Sequence, residues 1–275
     1  MLGINFIKLK ISIDEIINEL ANFILLICNL SYLKIKSDLK PNIIFKDILK
    51  NQKVIIIANG PSTHSYNLRE LKGETLFFMN RGFLHKDYAY LKPQYHFIID
   101  EKLNNGIWPI TFIDEIFSLN PNVKLFLNLK WSKNKKFYSY KKKYVDRIFW
   151  IDTRLFFTKF NSDKKINLTK LTYGNAVSGA AFSSAVYMGA NNISFIGQDL
   201  NGLCYDILNK DSHFYGYNKE NDLKSIVDVT DDLFSMSGSI RSWSHMIRFA
   251  KNNNLEIKNL SQSHLLNLIL KYHNF

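Results

Sequence analysis

The stretch VIIIANGPS, residues 54–62, is a short β-branched apolar run that leads straight into a tight turn. Four consecutive apolar residues of this kind are typical of a strand buried on both faces of a parallel sheet. In the turn, Gly60 lets the backbone approach a phosphate, which amide and hydroxyl side chains can also bind. The stretch therefore predicts a strand of an α/β sheet that ends in a phosphate-facing turn, Asn59-Gly60-Pro61-Ser62.

Two later apolar runs end in a polar residue in the same way. Residues 76–79 lead into Asn80, and residues 95–99 lead into Asp100. Open α/β sheets build their binding sites at the carboxyl ends of the strands. The three runs therefore predict one site that collects these polar strand ends.

The second half of the chain repeats this pattern with a helix in between. Ser178 and Gly179 open a helix rich in small residues, and residues 192–196 then form a strand that ends in Gly197 and, two residues later, Asp199. With the strand predicted at residues 147–151, this helix and strand predict a βαβ unit with a right-handed crossover.

Length and composition agree with one large domain. A chain of 275 residues that is 46% hydrophobic, with 12 Gly and only 5 Pro, can bury a sizeable core and is not disordered. We predict an α/β fold over residues 51–275, with a Rossmann-like, mostly parallel sheet flanked by helices. Residues 200–237 are polar, aromatic and weakly periodic, which predicts a lid.

The first 50 residues predict an N-terminal helical extension. Apolar residues from Ile13 to Ile27 recur at steps of three and four, which indicates an amphipathic helix that starts near Ser12 or Asp14. Its apolar face needs a partner, which could be the core of the protein, another subunit or a membrane surface.

The charge is unevenly distributed. The formal net charge is +12, and residues 130–143 hold seven lysines interleaved with four aromatic residues. Such a segment suits an anionic membrane surface or a phosphorylated glycolipid, but an ordinary solvated helix or loop explains it equally well. Nucleic acid is not an expected partner, because no nucleic-acid-binding signature accompanies the charge.

Cysteine usage and the N-terminus indicate the compartment. Cys28 and Cys204 are the only cysteines, and neither they nor the scattered histidines have metal-ligand spacing, so we expect a reduced compartment and no metal. No signal peptide is apparent, and the longest apolar run near the N-terminus, residues 23–28, is too short to span a bilayer. We expect a cytoplasmic protein, with a peripheral position on the inner face of the cytoplasmic membrane as an open option.

Four segments in order carry a family resemblance. VIIIANGPS, FFMN, NAVSGAAFSSAVYMGANNISFIGQDL and SHFYG resemble the small bacterial sialyltransferases that decorate lipooligosaccharide, and the related MptE-like or motility-accessory-factor domains. The resemblance covers roughly residues 53–270. It implies a Rossmann-like sheet with a lid, a CMP-activated sialic acid or related nonulosonate as donor, inversion at the anomeric carbon, and no metal or other cofactor.

The resemblance also implies a set of donor-binding residues. Asp100 departs from the sialyltransferases, which carry asparagine there, and agrees with the MptE-like relatives, so the donor identity stays open. A purely structural interpretation is that the Asn59 turn only reverses the chain and Asn80 caps a helix. The implied donor-binding residues are Asn59, Gly60, Pro61, Ser62, Asn80, Asp100, Ser178, Gly179, Gly197 and Asp199.

Two tyrosines are implied at the leaving group. Tyr205 stands where the family has a lid tyrosine that binds phosphate and assists departure of the nucleotide. The family's other tyrosine is replaced by Asn201, so Tyr215 or Tyr217 would support Tyr205.

The base that takes the proton of the acceptor hydroxyl is implied to lie in the segment around His213. The family's usual base is a second histidine four residues later, where this chain has Tyr217. We therefore predict His213, because an imidazole titrates near neutral pH whereas a tyrosine does not. His245 on the following helix is the reserve candidate, and His213 could also be a structural lid residue.

These observations predict a glycosyltransferase of surface-glycan or lipopolysaccharide biosynthesis. It would move sialic acid, another nonulosonate or Kdo from a CMP-activated donor to a glycan or glycolipid acceptor. The alternative is an MptE-like pyrophosphokinase that transfers diphosphate from ATP to a pterin with magnesium. A basic membrane-associated scaffold would explain the lysines but not the polar strand ends. The sequence leaves open whether the chain forms a homo-oligomer.

Overall fold

The computed structural model describes residues 6–31, 35–161, 165–174, 176–216 and 225–272. Within them, seven parallel strands form a single sheet in the order β5-β4-β3-β2-β1-β6-β7. The predicted Rossmann-like α/β fold is therefore confirmed. The strands are β1 (Lys53–Ile57), β2 (Thr75–Met79), β3 (Tyr95–Ile98), β4 (Lys124–Asn128), β5 (Ile148–Ile151), β6 (Asn192–Ile196) and β7 (Glu256–Asn259).

Strand β1 is the centre of the sheet. It pairs with β2 on one side and with β6 on the other. Val54 and Ile56 enter one apolar cluster and Ile55 and Ile57 enter the other, and all four are 0% exposed. Burial of each such side chain stabilises the fold by roughly 1.5–3 kcal/mol, so β1 holds the two layers of helices together.

The helices cover both faces of this sheet. Helix α6 crosses strands β1 to β3, and its buried side chains share one apolar cluster with those of α8 and α9. The buried residues of α4 and α5 belong to the cluster on the opposite face. The α-helices are α1 (Phe6–Ser31), α2 (Tyr88–Leu91), α3 (Glu101–Asn104), α4 (Phe112–Leu119), α5 (Lys135–Lys143), α6 (Val177–Tyr187), α7 (Gly202–Ile207), α8 (Ile226–Asn252) and α9 (His264–Tyr272), and 3₁₀ helices lie at Ile35–Phe45, Pro61–Ser65, Leu68–Leu71, Asn80–Leu84 and Leu129–Trp131.

The order of the strands reverses beside β1. From β1 the chain builds β2 to β5 towards one edge, and β6 and β7 then extend the sheet from the other side of β1. In an open parallel sheet a crevice forms at such a switch point, outside the carboxyl ends of the strands. The ends of β1 and β6, which lead into Asn59 and Gly197, therefore flank this crevice.

Two predicted boundaries differ from the structure. Residues 226–237, which the sequence predicts to be the end of the lid, are the start of α8, whose N-terminus is capped by the side chain of Ser225. The 3₁₀ helix Ile35–Phe45, which the sequence predicts to belong to the extension, packs on β5, and Leu39 and Phe45 are buried in the core. The core therefore includes residues before position 51, and the end of the predicted lid is helical.

Helix α1 packs its polar face, not its apolar face, against the protein. It starts at Phe6, earlier than Ser12, and its polar residues Glu15 and Asn22 are buried against the protein. The core therefore does not receive its apolar face. No helix in the described ranges is long and apolar enough to cross a membrane. The exposed apolar side chains of α1 are Leu9, Ile11, Ile13, Ile16, Ile17, Leu20, Phe23, Ile24, Leu26 and Ile27.

The lysine-rich segment is a 3₁₀ turn followed by α5. Four of its seven lysines have partners within the protein: Lys133 with Asp38, Lys136 with the Asn104 carbonyl, Lys141 with the Ile148 carbonyl and Lys143 with Asp114. The remaining three, Lys130, Lys135 and Lys142, are exposed. Four of the seven lysines therefore contact other parts of the fold and are not simply solvated.

Asn42 fixes the N-terminal 3₁₀ helix to the sheet. Its side chain is fully buried, and Nδ2 donates hydrogen bonds of 2.8 Å to the carbonyls of both Trp150 and Leu168. In Asn42→Ala these two buried carbonyls would lose their donor, so we expect the free energy of unfolding to fall by about 2–4 kcal/mol. Urea denaturation followed by circular dichroism measures this change. The exposed neighbour Lys40 provides the control, since Lys40→Ala should change stability by no more than about 0.5 kcal/mol. Equal stabilities of the two variants would contradict this role of Asn42.

Candidate active site

A cleft of about 800 Å³ opens at the carboxyl ends of β1, β2 and β6. Its other walls come from the first turn of α6, the segment around His213, and the facing sides of α1 and α8. It therefore lies at the switch point of the sheet, where α/β proteins of this type bind their ligands.

The turn after β1 and the end of β6 are locked together. The Gly60 N–H donates to the Gly197 carbonyl at 2.8 Å, and the Ser62 N–H donates to Asp199 Oδ2 at 2.9 Å. A Cβ atom at Gly60 would collide with Asp199 Oδ2 and the Gly197 carbonyl, so the contact requires glycine. Gly197 itself has φ +71°, which favours glycine as well. Pro61 is not among the cleft-lining residues; it starts the 3₁₀ helix that leads away from the turn.

Three oxygen atoms at the strand ends have no hydrogen-bond partner although they are shielded from solvent. They are Oδ1 of Asn59 after β1, Oδ1 of Asn80 after β2 and Oδ1 of Asp199 after β6, and all three residues line the cleft. Buried acceptors without a donor are rare in folded proteins and costly. A ligand with hydroxyl or amino donors in the cleft would satisfy them.

A buried histidine holds Asn80 in place. Asn80 has φ +46°, and its carbonyl accepts a 2.8 Å hydrogen bond from Nε2 of His96, whose Nδ1 lies 3.0 Å from the Tyr88 hydroxyl. Burial lowers the pKa of His96 to about 4, although the bond to Asn80 opposes this shift. His96 is therefore neutral near pH 7, with Nε2–H donating to Asn80 and Nδ1 accepting from Tyr88. Met79, not Asn80, occupies the cap position of the following 3₁₀ helix.

The first turn of α6 forms another side of the cleft. Ala176, Val177, Ser178 and Gly179 all line it. The first N–H groups of a helix have no acceptor within the helix and carry a partial positive charge, so they bind anions. The structure thus brings Ser178 and Gly179 together with Asn59, Asn80 and Asp199.

The predicted lid residues do not all reach the cleft. His213 lines it, because the neighbouring Phe214 is fixed by its N–H to the Asn59 carbonyl at 2.9 Å and by its carbonyl to His64 Nε2 at 3.0 Å. Tyr205 lies in α7 and is not among the lining residues. Tyr217 lies outside the described residues.

Two further predicted residues have structural contacts away from the cleft lining. Asp100 caps α3, with Oδ1 accepting the Lys102 N–H at 3.0 Å. The Ser62 hydroxyl donates to the Ser261 hydroxyl at 3.0 Å. Neither residue is among those that line the cleft.

Helices α1 and α8 form a wall of the cleft that the sequence does not predict, except for His245 as the reserve candidate. Asp14 of α1 pairs with Arg241 of α8 at 2.5 Å, and Glu15 pairs with His245 at 2.6 Å. All four residues line the cleft. A signal for this wall was present in the sequence, since the polar residues 14, 15, 18, 19 and 22 recur on one face of a helix.

The polar groups that line the strand-end side of the cleft are mainly amides, hydroxyls and backbone N–H groups. In the described residues, no group of three or more His, Cys, Asp or Glu side chains is placed to hold a metal ion. Asp199 is the carboxylate at the strand ends of the cleft, and its Oδ2 already accepts a backbone N–H.

Comparison with known proteins gives one family match and similar solved structures. A model of the family described as 6-hydroxymethylpterin diphosphokinase MptE-like matches residues 26–203. An α-2,3-sialyltransferase from Campylobacter jejuni in apo form is 18% identical, with a TM-score of 0.39 over 81% of this chain and 82% of that chain. The sialyltransferase CstII from C. jejuni in complex with the substrate analogue CMP-3FNeuAc is 15% identical, with a TM-score of 0.40 over 80% and 84%. At these identities no residue role or substrate carries over. No curated protein matches the chain.

The His96 contact predicts a specific pH dependence of stability. Because the pKa of His96 is near 4 in the folded protein and ordinarily about 6.5, the unfolded chain binds a proton first as the pH falls. The stabilisation of the fold by the neutral His96 is complete above pH 6.5 and is lost as the pH falls to 4. Over this range the free energy of unfolding of the wild type should fall by about 3 kcal/mol more than that of His96→Gln, which cannot titrate.

Urea denaturation at several pH values measures this difference. The exposed His264 provides the control, because His264→Gln should keep the pH dependence of the wild type. Parallel curves for the wild type and His96→Gln would show that the buried imidazole does not have this role.

Proposed function

We propose that this chain, which belongs to the MptE-like family, is a glycosyltransferase that moves an acidic sugar from a CMP-activated donor to a hydroxyl group of a cell-surface glycan. The sugar would be sialic acid, another nonulosonate or Kdo. The observation that carries the proposal is the set of three buried oxygens without donors on Asn59, Asn80 and Asp199. A nucleoside offers donors of the required kind, because its ribose has hydroxyl groups and cytosine has an exocyclic amine.

The phosphate of such a donor would lie near the first turn of α6. Its N–H groups and helix dipole stabilise an anion without a basic side chain. They would also stabilise the negative charge that grows on the phosphate as the nucleotide leaves. The amides at the strand ends would then orient the nucleoside.

The proposed reaction is a single displacement. The acceptor oxygen forms a bond to the anomeric carbon while the bond from that carbon to the phosphate oxygen breaks, and CMP leaves with the electron pair. The proton of the acceptor hydroxyl passes to a base on the enzyme. The configuration at the anomeric carbon is inverted, and the proposed chemistry needs no divalent metal.

A second candidate is transfer of diphosphate from ATP to a pterin. The description of the matching family favours it. Magnesium would then neutralise the negative charge of the phosphates. Asp199, the carboxylate at the strand ends of the cleft, could contribute to holding the metal ion.

Nucleotide binding separates the two candidates. We expect CMP to raise the melting temperature without a divalent metal, since at 100 times its Kd a ligand stabilises the folded state by about 2.7 kcal/mol. Asn59→Ala removes one of the unsatisfied acceptors and should weaken CMP binding about tenfold, with the fold unchanged. Thermal-shift titrations with CMP, CDP, UDP, GDP and ATP, each with and without magnesium, provide the measurement.

The control for this experiment is Asn105→Ala, an exposed asparagine outside the cleft lining, which should bind CMP like the wild type. A preference for ATP that depends on magnesium would reject the glycosyltransferase in favour of the diphosphokinase. An unchanged CMP affinity of Asn59→Ala would show that the turn after β1 is only structural.

The proposal includes a peripheral contact of the lysine-rich segment with an anionic membrane. The exposed Lys130, Lys135 and Lys142 would make this contact, and each lysine near such a surface adds about 1 kcal/mol. Binding to vesicles that contain phosphatidylserine should weaken steeply from about 50 to 150 mM salt, and the triple change to Gln should nearly abolish it. Vesicle co-sedimentation measures both effects. The control replaces the exposed lysines Lys53, Lys72 and Lys258 by Gln. Equal binding to neutral vesicles would contradict the electrostatic contact.

A further inference from the structure

We propose that Glu15 and His245 form the proton-accepting pair of this cleft, in which His245 takes the proton of the acceptor hydroxyl and Glu15 positions the imidazole. The assignment rests on the proposed transfer reaction and names its base. It differs from the base that the sequence resemblance implies, which is His213.

The first argument is the geometry of the pair. His245 Nε2 lies 2.6 Å from Glu15 Oε1, and both side chains are nearly buried, with 11% and 5% of their surface exposed. Both residues also line the cleft. A histidine held by a carboxylate beside a substrate cleft is the arrangement that serves as a general base in many hydrolases and transferases.

The second argument is the free nitrogen of the ring. With Nε2–H donating to Glu15, the lone pair of the neutral imidazole lies on Nδ1. This atom is shielded from solvent and has no hydrogen-bond partner. A buried acceptor without a donor needs an explanation, and in the proposed reaction an acceptor hydroxyl supplies the missing donor once substrate binding exposes Nδ1 to it. The same hydroxyl would lose its proton to Nδ1 during the transfer.

The third argument is the charge around the pair. Burial alone would raise the pKa of Glu15, but the hydrogen bond from His245 opposes it, with help from the Lys159 N–H and the charge of Arg241. The net result is a pKa of Glu15 below its usual value. Asp14 lies beside Glu15 in the chain and pairs with Arg241, so these two charges are balanced. Glu15 is therefore a carboxylate near pH 7 and stabilises the imidazolium that forms when His245 accepts a proton.

The position of Glu15 is fixed by the rest of α1. One turn and two turns further along the helix, Glu19 and Asn22 bind the loop after β5. The Asn22 side chain exchanges two hydrogen bonds with the backbone of Phe156, at 3.0 and 2.8 Å, and Glu19 Oε2 accepts from the Thr158 hydroxyl at 2.8 Å. Because these contacts lock the helix to the domain, Glu15 can hold His245 in one orientation.

His213 has a different environment. Its Nδ1 lies 3.1 Å from the hydroxyl of Ser212, and its ring stacks on Tyr215, with 4.9 Å between the ring centres. Tyr215 in turn lies under the guanidinium of Arg81, at 4.5 Å. These contacts suit a residue that shapes the cleft.

The proposed step is balanced as follows. The acceptor hydroxyl donates a hydrogen bond to Nδ1 of His245 and forms its bond to the anomeric carbon, while CMP leaves with the electrons of the bond that breaks. The proton moves to Nδ1, so the imidazole becomes a cation that Glu15 stabilises. His245 then releases the proton to solvent after the products leave.

The experiment uses hydrolysis of CMP-N-acetylneuraminic acid, in which water replaces the unidentified acceptor, and follows the release of CMP. His245→Ala should lower turnover about 10²-fold or more, while its affinity for CMP stays at the wild-type value. Added imidazole should restore much of the lost turnover of His245→Ala, and any loss in His213→Ala should not respond to imidazole. The exposed His264→Ala is the matched control and should behave as the wild type.

Glu15→Gln tests the positioning role of the carboxylate. This variant can hydrogen-bond but cannot stabilise a cation, so turnover should fall about tenfold or more with little change in the KM for the donor. Glu15→Asp restores a carboxylate and should recover part of the turnover. Circular dichroism and CMP binding confirm that each variant is folded.

The outcomes separate this inference from the proposed function. If the wild type binds CMP and hydrolyses the donor but His245→Ala keeps near-wild-type turnover, the base is not His245. Rescue of His213→Ala by imidazole without rescue of His245→Ala would assign the base to His213. If the wild type neither binds CMP nor hydrolyses the donor, the proposed function fails and the assignment of the pair as its base fails with it.

Discussion

The structure depends on the complete burial of β1 on both of its faces. Its four central side chains are 0% exposed and alternate between two apolar clusters, and its backbone pairs with β2 and β6. Because β1 lies at the reversal of the strand order, the turn that follows it must lie beside the end of β6. The close contact of Gly60 with Gly197 and Asp199 is the direct result. The cleft forms because a buried strand and its two neighbours place three polar strand ends next to one another.

The cleft has two chemically different halves. At the strand ends, uncharged amides, a carboxylate with one free oxygen and the first turn of α6 present groups that suit a nucleotide. On the opposite side, α1 and α8 contribute two ion pairs, Asp14 with Arg241 and Glu15 with His245. In the proposed reaction, the strand-end half would bind the donor and the half formed by α1 and α8 would accept the proton. This separation is consistent with a transferase, which must bind two substrates at once and expose the reacting atoms of one to the other.

Helix α1 combines structural and chemical roles in an unusual orientation. Its buried polar face supplies Glu15 to the cleft and Asn22 to the loop after β5, while its apolar face is exposed, with Phe23 61% accessible. Helices of globular proteins normally bury their apolar face, so this reversal shows that polar contacts, not apolar burial, hold α1 on the domain. These hydrogen bonds and ion pairs also fix the geometry of the second wall of the cleft.

The sequence by itself determined the central strands of the sheet and the polar residues at the strand ends of the cleft. Short apolar runs that lead into Asn59, Asn80 and Asp199 are local signals, because burial on both faces of a parallel sheet demands apolar residues and a ligand site demands polar ones at the strand end. The strand order, the neutral His96 beneath Asn80, the capping role of Asp100 and the orientation of α1 came only from the tertiary structure. The apolar period of α1 predicted a helix but not which face meets the protein. That choice depends on partners more than 130 residues away, the Phe156 backbone and His245, whose positions no local pattern specifies.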